Sequence, residues 1–423
     1  MHCPKIMVIT SMKRLPLPGR IALAFADAGC SVAVVSPGGS LVRKLSRIEK
    51  HFAIGRWSPT ESLLQAIQEW VPCFLICGDE PAVGLLRDLH RSLRSSRRVD
   101  RDDITSLIET SLGNPEGYEV AAKKSKFMHF AQSIGLRSPA TTIVTDVIAL
   151  KSALRAVKLP AVLKADGTWA GQGVRVVNSE AEAALAFNEL ARPPHWLSVL
   201  GQAVRSVTPR PMVDRILARE RVVTLQAYVH GHPANRAMVS WRGEVLAGLS
   251  VEALEVSYAN GPAAVVRTID NDEMAYAGKA LAQNLGISGF FGLDFMIDRE
   301  GRAWLLELNP RVTPICHLSN FSAFSMPHAL LAGLSGRSAR SQAPGVFGEL
   351  IALFPGGSEW AGREKAFRRF YYDIPADEPD FVKACLALNG SKRHAGSRTY
   401  TAMASDALHR GFAQQIQPAG DEA

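Results

Sequence analysis

Two apolar runs, Phe290 to Ile297 and Ala303 to Leu308, flank the polar turn Asp298-Arg299-Glu300-Gly301-Arg302 and read as a β-hairpin. Each run carries a carboxylate among apolar neighbours: Asp294 in the first and Glu307 in the second, with Asn309 two residues later. Side chains two apart on a strand share a face, so three oxygen donors converge across the hairpin. Carboxylates buried in apolar strands are costly unless they are paired or bound to a cation. Hard oxygen ligands of this kind suit Mg²⁺ bridging nucleotide phosphates, with Mn²⁺ as an alternative. Arg311 adds a planar fork that can bind a phosphoryl or carboxylate group. The competing reading is an internal salt bridge from Asp294 or Glu307 to Arg311.

The rest of the chain supplies a frame for that hairpin. Its 423 residues exceed what one hydrophobic core fills, so two to four packed units are expected. From Lys5 to about Leu93, short apolar runs (Ile6 to Ile9, Val32 to Val35, Phe74 to Ile76) alternate with helical periods, the pattern of a parallel sheet with crossover helices. Cys77-Gly78-Asp79-Glu80 places acidic groups at a strand's carboxyl edge, where open α/β sheets bind ligands. The first strand-to-helix turn, Ser11 to Gly19, lacks the closely spaced glycines of a dinucleotide fingerprint, so NAD binding is not expected.

Composition narrows the class further. Apolar residues make up 47% and charged residues 21%, the balance of a globular protein. Much of the +8 formal charge lies in Arg87, Arg91, Arg94, Arg97, Arg98 and Arg101, at intervals of one to four residues. This stretch reads as a solvated helix face without the aromatics of a nucleic-acid surface, and no nucleic-acid partner is expected. The six cysteines are scattered and imply no disulfide framework; a reducing cytoplasm fits them best. The apolar run at the N-terminus is too short for a signal segment and no run of about 20 apolar residues occurs, so neither export nor a membrane partner is expected.

A second passage bears on phosphate chemistry. Ala161-Val162-Leu163-Lys164 reads as a strand, followed by Ala165-Asp166-Gly167-Thr168-Trp169-Ala170-Gly171-Gln172-Gly173, a turn whose glycines let backbone N–H groups approach an anion. Upstream, a helix ends at Gly135, eleven residues after Lys124, with Lys123 and Lys126 close by. Downstream, Leu225-Gln226-Ala227-Tyr228-Val229-His230-Gly231 follows an irregular, proline-containing stretch from 191 to 220.

Taken in order, these passages resemble the ATP-grasp superfamily, which includes biotin carboxylase, D-alanine:D-alanine ligase and carbamoyl-phosphate synthetase. The likeness covers about residues 120 to 320, and Glu-x-Asn-Pro-Arg at 307 to 311 is its most specific motif. The resemblance implies an α/β and α+β protein. Residues 1–112 would form an N-terminal Rossmann-like unit, 113–195 the smaller ATP-grasp subdomain and 196–340 the larger one with the metal site; 341–423 would be a C-terminal region of open fold. It further implies that Lys124, Lys164 and the loop of Gly171, Gln172 and Gly173 bind ATP phosphates. Asp294, Glu307 and Asn309 would hold Mg²⁺, and Arg311 would stabilise the oxyanion. Gln226 and the backbone of Ala227 and Val229 would hold adenine. Gln226 stands where many members have glutamate, and Pro233 stands where many place a ribose-binding glutamate. The activity implied is ATP-dependent ligation of a small-molecule carboxylate to an amine, with a homodimer left open; the alternatives are a carboxyphosphate- or phosphoryl-transfer enzyme of the same superfamily and a nucleotide-binding protein without turnover. Just beyond Arg311, His317 is a candidate to face an acceptor pocket, and Cys316 is a candidate nucleophile that nearby phosphate chemistry makes unnecessary.

Overall fold

The computed structural model describes residues 3–96, 98–168, 173–193, 196, 199, 201, 207, 221–257, 261–318, 325–337, 349–357 and 370–390. Its N-terminal part runs β1 (Lys5–Ile9), α1 (Leu17–Asp27), β2 (Ser31–Ser36), β3 (Lys50–Ala53), α2 (Pro59–Trp70), β4 (Phe74–Cys77), α3 (Glu80–Arg94) and α4 (Arg101–Leu112). The four strands form a parallel sheet in the order β3-β2-β1-β4. Helices cover both faces, which is why its strands are apolar throughout. Ile6, Val8, Val34 and Phe74 pack toward Ile21 and Phe25 of α1, while Met7, Ile9, Val35 and Leu75 pack toward α2 and α3. The arginine-rich stretch lies on α3 and its continuation, where Arg91, Arg94, Arg98 and Arg101 each meet a nearby carboxylate. Arg97 lies outside the described residues.

The next part comprises α5 (Tyr118–Ala122), α6 (Lys124–Ser133), β5 (Thr141–Val144), α7 (Val147–Val157), β6 (Ala161–Ala165), β7 (Val174–Val177), α8 (Glu180–Ala191) and β8 (Val223–Ala227). Its antiparallel sheet has the order β5-β8-β6-β7, so β8, from the segment that begins at 196, completes the smaller sheet by pairing on both flanks. Apolar patterning along the chain carries no information about such a non-local partner. Helices α7 and α8 cover one face through Leu150, Leu154, Ala183 and Phe187. The opposite face carries Thr141, Gln226, Val162 and Lys164, because these alternate with the inward-facing Leu163 and Leu225.

A seven-stranded sheet completes the architecture. It is built from β9 (His232–Trp241), β10 (Glu244–Val256), β11 (Ala263–Ile269), α9 (Asp272–Leu285), β12 (Gly289–Ile297), β13 (Ala303–Asn309), α10 (Met326–Leu334), β14 (Leu350–Leu353), β15 (Phe370–Asp373) and α11 (Pro379–Gly390). The strand order is β13-β12-β9-β10-β11-β14-β15. One face packs on α9 and the other on α10. The core beneath α10 is continuous with that beneath α1, and Phe25 meets Phe290 edge to face at 6.0 Å between centroids. The C-terminal region, of open fold from sequence, contributes two strands to this sheet, and α11 docks on the N-terminal part. There Phe381 joins the core around Ile21, and the Glu378 carboxylate accepts hydrogen bonds from the backbone N–H groups of Ser46 (2.8 Å) and Arg47 (3.1 Å). Among the described residues, no helix is long and apolar enough to cross a membrane.

The junction between α4 and the large sheet depends on one glycine. Gly113 bridges to Ile287 with φ +96°, and a Cβ there would sit 2.0 Å from the Gly286 carbonyl oxygen. We expect Gly113→Ala to destabilise the protein by roughly 2 kcal/mol or more, because it adds backbone strain to a clash with main chain. Urea denaturation reads this directly, and an unchanged midpoint would contradict the account.

Candidate active site

The hairpin expected from sequence is β12-β13, and its register places Asp294 opposite Glu307 and Gly292 opposite Asn309. The three side chains lie on the face of the large sheet away from α9, since Leu293, Phe295 and Leu305 occupy the α9 side. A bulge at Leu306 interrupts the ladder between the pairs Asp294/Glu307 and Phe295/Leu305. This places the Leu306 carbonyl within reach of the Lys164 ammonium, which donates to it at 3.4 Å.

Asp294 is the electrostatic centre. Its Oδ1 accepts from Asn235 Nδ2 at 2.7 Å and its Oδ2 from Asn309 Nδ2 at 2.9 Å. Burial, reinforced by the neighbouring Glu307 carboxylate, raises its pKa above the usual carboxylate range despite those two donors. Glu307 pairs with Lys124 Nζ at 3.1 Å, both side chains being largely covered. Of the three candidate lysines on that helix, Lys124 is therefore the one at the site; Lys123 and Lys126 both turn outward to Glu119, each at 2.8 Å. Lys164 is enclosed enough that burial lowers its pKa to about 8, even though Glu307 and Asp294 pull the other way.

Arg311 makes neither of the salt bridges to Asp294 or Glu307 considered from sequence. Its guanidinium donates to the Val312 carbonyl (2.9 Å) and to Asn309 Oδ1 (3.1 Å), and its Nε lies 3.5 Å from Glu80 of α3. Glu80 stands partly exposed just past the carboxyl edge of β4, where desolvation raises its pKa while Arg311 opposes the shift. Val312 N–H donates to the Cys77 carbonyl at 3.2 Å, so the segment after the Glu-x-Asn-Pro-Arg motif is tied to the N-terminal sheet. The beginning of the glycine-rich loop is anchored too. Asp166 accepts from the N–H (3.1 Å) and hydroxyl (2.6 Å) of Ser125, next to Lys124. At Gly173 a Cβ would lie 2.0 Å from Thr168 Oγ1, a close approach that requires glycine. Gly171 and Gln172 lie outside the described residues.

The Gln226 to His230 segment links the smaller sheet to the large one. Ala227, Tyr228, Val229 and His230 border an open cleft of about 740 Å³ whose far wall includes Asp298 and Trp304. The Ala227 N–H already donates to the Ala140 carbonyl at 2.9 Å. The two further candidates beyond Arg311, His317 for an acceptor pocket and Cys316 as a nucleophile, are both buried. His317 is buried with both Asp373 oxygens 2.9 Å from its Nε2, and Asp373 also pairs with Arg20. Cys316 is buried and its thiol is pushed up to about 11, which leaves it a weak nucleophile.

Two residues of this arrangement were not picked out as site residues by sequence. Asn235 is visible only as a polar position within β9, and its place opposite Asp294 follows from strand register. Glu80 was legible as an acid at a strand's end but not as the partner of Arg311. Among the described residues no group of three or more His, Cys, Asp or Glu side chains assembles a self-sufficient metal cage. Two facing carboxylates flanked by amides instead suit Mg²⁺, which is commonly held by one or two carboxylates together with phosphate oxygens. Asn235 Oδ1 is buried without a partner beside them, and the raised Asp294 pKa marks negative charge that a cation would relieve.

Comparisons with known proteins bear on the fold that carries this site. No family model matches the chain. The large chain of carbamoyl phosphate synthase from Vibrio cholerae is 24% identical over 198 residues, which are 47% of this chain and 17% of that protein. Among solved structures, the biotin carboxylase domain of 2-oxoglutarate carboxylase from Hydrogenobacter thermophilus superposes with a TM-score of 0.60 at 14% identity, covering 83% of this chain and 74% of that one. It is described as a dimer in complex with MgADP, ADP and bicarbonate. Carboxyaminoimidazole ribonucleotide synthase from Aspergillus clavatus, complexed with ATP, gives 0.56 at 13% identity and 80% coverage of both chains.

Two outcomes follow from the charges at this site. The raised Asp294 pKa means that the nucleotide-free, metal-free chain loses stability as pH climbs above the ordinary carboxylate range. Asp294→Asn should therefore raise its melting temperature at neutral pH by about 1 °C, the worth of roughly 1 kcal/mol in a chain of this length; a fall would contradict the charge assignment. For Lys164 the folded pKa of about 8 lies below the ordinary 10.5, so the cost of its charge is full below pH 8 and fades between the two values. In denaturation at several pH values, Lys164→Met should be more stable than wild type at pH 7 and lose that advantage by about pH 10.5; a pH-independent difference would refute it. The chain shares its fold with the biotin carboxylase domain and with carboxyaminoimidazole ribonucleotide synthase.

Proposed function

We propose that the chain is an ADP-forming ligase that uses ATP to activate a small-molecule carboxylate as an acyl phosphate and passes it to an amine. The supporting observation is the convergence of Asp294, Glu307 and Asn309 from one hairpin with Lys124 from α6 and Lys164 from β6. Three structural elements thus bring two ammonium groups to a pair of carboxylates, an arrangement suited to a polyphosphate with its cation. The relatives named above support ATP as the nucleotide.

In this reading Asp294, Glu307 and Asn309 would hold Mg²⁺, or Mn²⁺ in its place, which offsets charge on the terminal phosphates when bound. Lys164 and Lys124 bind those phosphates, and anionic oxygens at Lys164 restore the charge that burial disfavours. The resemblance assigns Gly171, Gln172 and Gly173 to the same phosphates, through their backbone N–H groups. Gln226 and the Ala227 to Val229 segment hold the base. Arg311, its fork fixed by Asn309 and Val312, binds the carboxylate of the acid. A carboxylate oxygen attacks the γ-phosphorus and ADP leaves. The amine nitrogen then attacks the acyl carbon, the bond to phosphate breaks, and the nitrogen gives its proton to solvent. Arg311 offsets the charge that develops on the acyl oxygen.

A narrower version takes bicarbonate as the acid, giving carboxyphosphate, and is favoured by the carboxylase among the structural neighbours. ADP release in the presence of Mg²⁺, with bicarbonate, amino acids and small carboxylates offered singly and in pairs, tests both versions. Hydroxylamine should trap the activated acid as a hydroxamate. We expect Glu307→Gln to lower ADP release by about 10²-fold or more while the chain stays folded. Undiminished turnover in that variant would remove the carboxylates from the mechanism.

A further inference from the structure

The face of the smaller sheet opposite α7 and α8 carries Thr141, Gln226 and Val162 in one cross-strand row, with Lys164 two residues further along β6. Lys164 reaches from this face to the large sheet, so the row borders the same interior as the phosphate-binding lysine. Gln226 ends one residue short of the Ala227 to His230 segment and is 1% exposed. Its orientation is fixed by a short chain of hydrogen bonds. The Pro139 carbonyl can only accept, so the Thr141 hydroxyl donates to it at 2.9 Å. That hydroxyl oxygen accepts in turn from Gln226 at 3.0 Å, and the end of the amide facing it must be the Nε2 amino group. The opposite end, Oε1, accepts no hydrogen bond among the described residues.

A nearly buried amide oxygen without a donor is costly, and a ligand group that satisfies it must itself donate. Turning the amide over would force the Thr141 hydroxyl to leave Pro139 and face Gln226 instead. Pro139 would then keep only its second donor, Gln132 Nε2 at 3.0 Å. The orientation is therefore biased by about one hydrogen bond, held by a residue that the ligand need not touch.

We infer that Thr141 is a specificity-determining positioning residue, which presents Gln226 Oε1 to the base so that a purine with a 6-amino group is selected over one with a 6-carbonyl. The inference rests on the reading of the Gln226 to Val229 segment as the base-binding end of the ATP site. Adenine donates from its amino group to Oε1. Hypoxanthine, identical in size there, sets a carbonyl oxygen against it. Serine at 141 keeps the hydroxyl, whereas valine keeps the shape and loses it. Glutamate at 226 presents acceptors from both ends, so its preference no longer depends on residue 141.

Competition of ATP and ITP against a fluorescent ATP analogue, in the presence of Mg²⁺, tests this on the full chain in wild type, Thr141→Ser, Thr141→Val, Gln226→Glu and the Thr141→Val/Gln226→Glu pair. Wild type and Thr141→Ser should favour ATP. Thr141→Val should shrink the ATP-to-ITP affinity ratio by about tenfold, the effect of one net hydrogen bond. The same substitution should leave the ratio unchanged in the Gln226→Glu background, and melting curves establish that each variant is folded. A wild-type protein that binds ATP, with a ratio that Thr141→Val does not move or moves equally in both backgrounds, overturns the inference alone. A folded wild-type protein that binds no ATP overturns the reading of the site and the inference with it.

Discussion

Two carboxylates facing each other across β12 and β13 are the constraint around which the site is arranged. Asp294 and Glu307 occupy the positions where a hairpin built for stability alone would carry apolar side chains. Their mutual repulsion in a buried setting is offset only in part, by two asparagine amides on Asp294 and by Lys124 on Glu307. Strain of this kind in an otherwise apolar sheet is what a cation-binding surface requires, and the cation and polyphosphate of the proposed reaction would complete it. The protein thus carries locally unfavourable charge on a scaffold whose other contacts are apolar and continuous.

The scaffold explains how three separate pieces of chain meet there. The core beneath α1, α10 and α11 fixes the N-terminal sheet against the large one. That brings Glu80, at the carboxyl edge of β4, to Arg311 and ties Val312 to the Cys77 carbonyl. The smaller sheet reaches the same region through Lys164, whose contact with the Leu306 carbonyl depends on the bulge in β13. Asp166 joins the root of the glycine-rich loop to the helix that bears Lys124.

Local pattern made the hairpin, the parallel N-terminal unit and the lysine strand legible in the sequence, because period-two alternation and apolar runs report on the residues that carry them. Lys124 could be told from its neighbours only by counting to a helix stop; the structure separates them by direction, since Lys123 and Lys126 turn to Glu119. Non-local partners were not legible. Asn235 becomes a neighbour of Asp294 only through the pairing of β9 with β12, and β8 belongs with the smaller sheet only because it pairs with β5 and β6. The burial of His317 against Asp373 joins residues 56 positions apart. Its removal from the list of accessible groups needed the C-terminal strand in place.

The central claim is that the hairpin carboxylates and the two lysines together form a site for a nucleotide with its divalent cation. Calorimetric titration of ATP into the full chain, once with Mg²⁺ and once with a chelator, tests it most directly. The account predicts one ATP per chain, with affinity at least about tenfold weaker when the cation is withdrawn, since two facing carboxylates would then repel the phosphates. No binding, or binding of equal strength in both titrations, would contradict it.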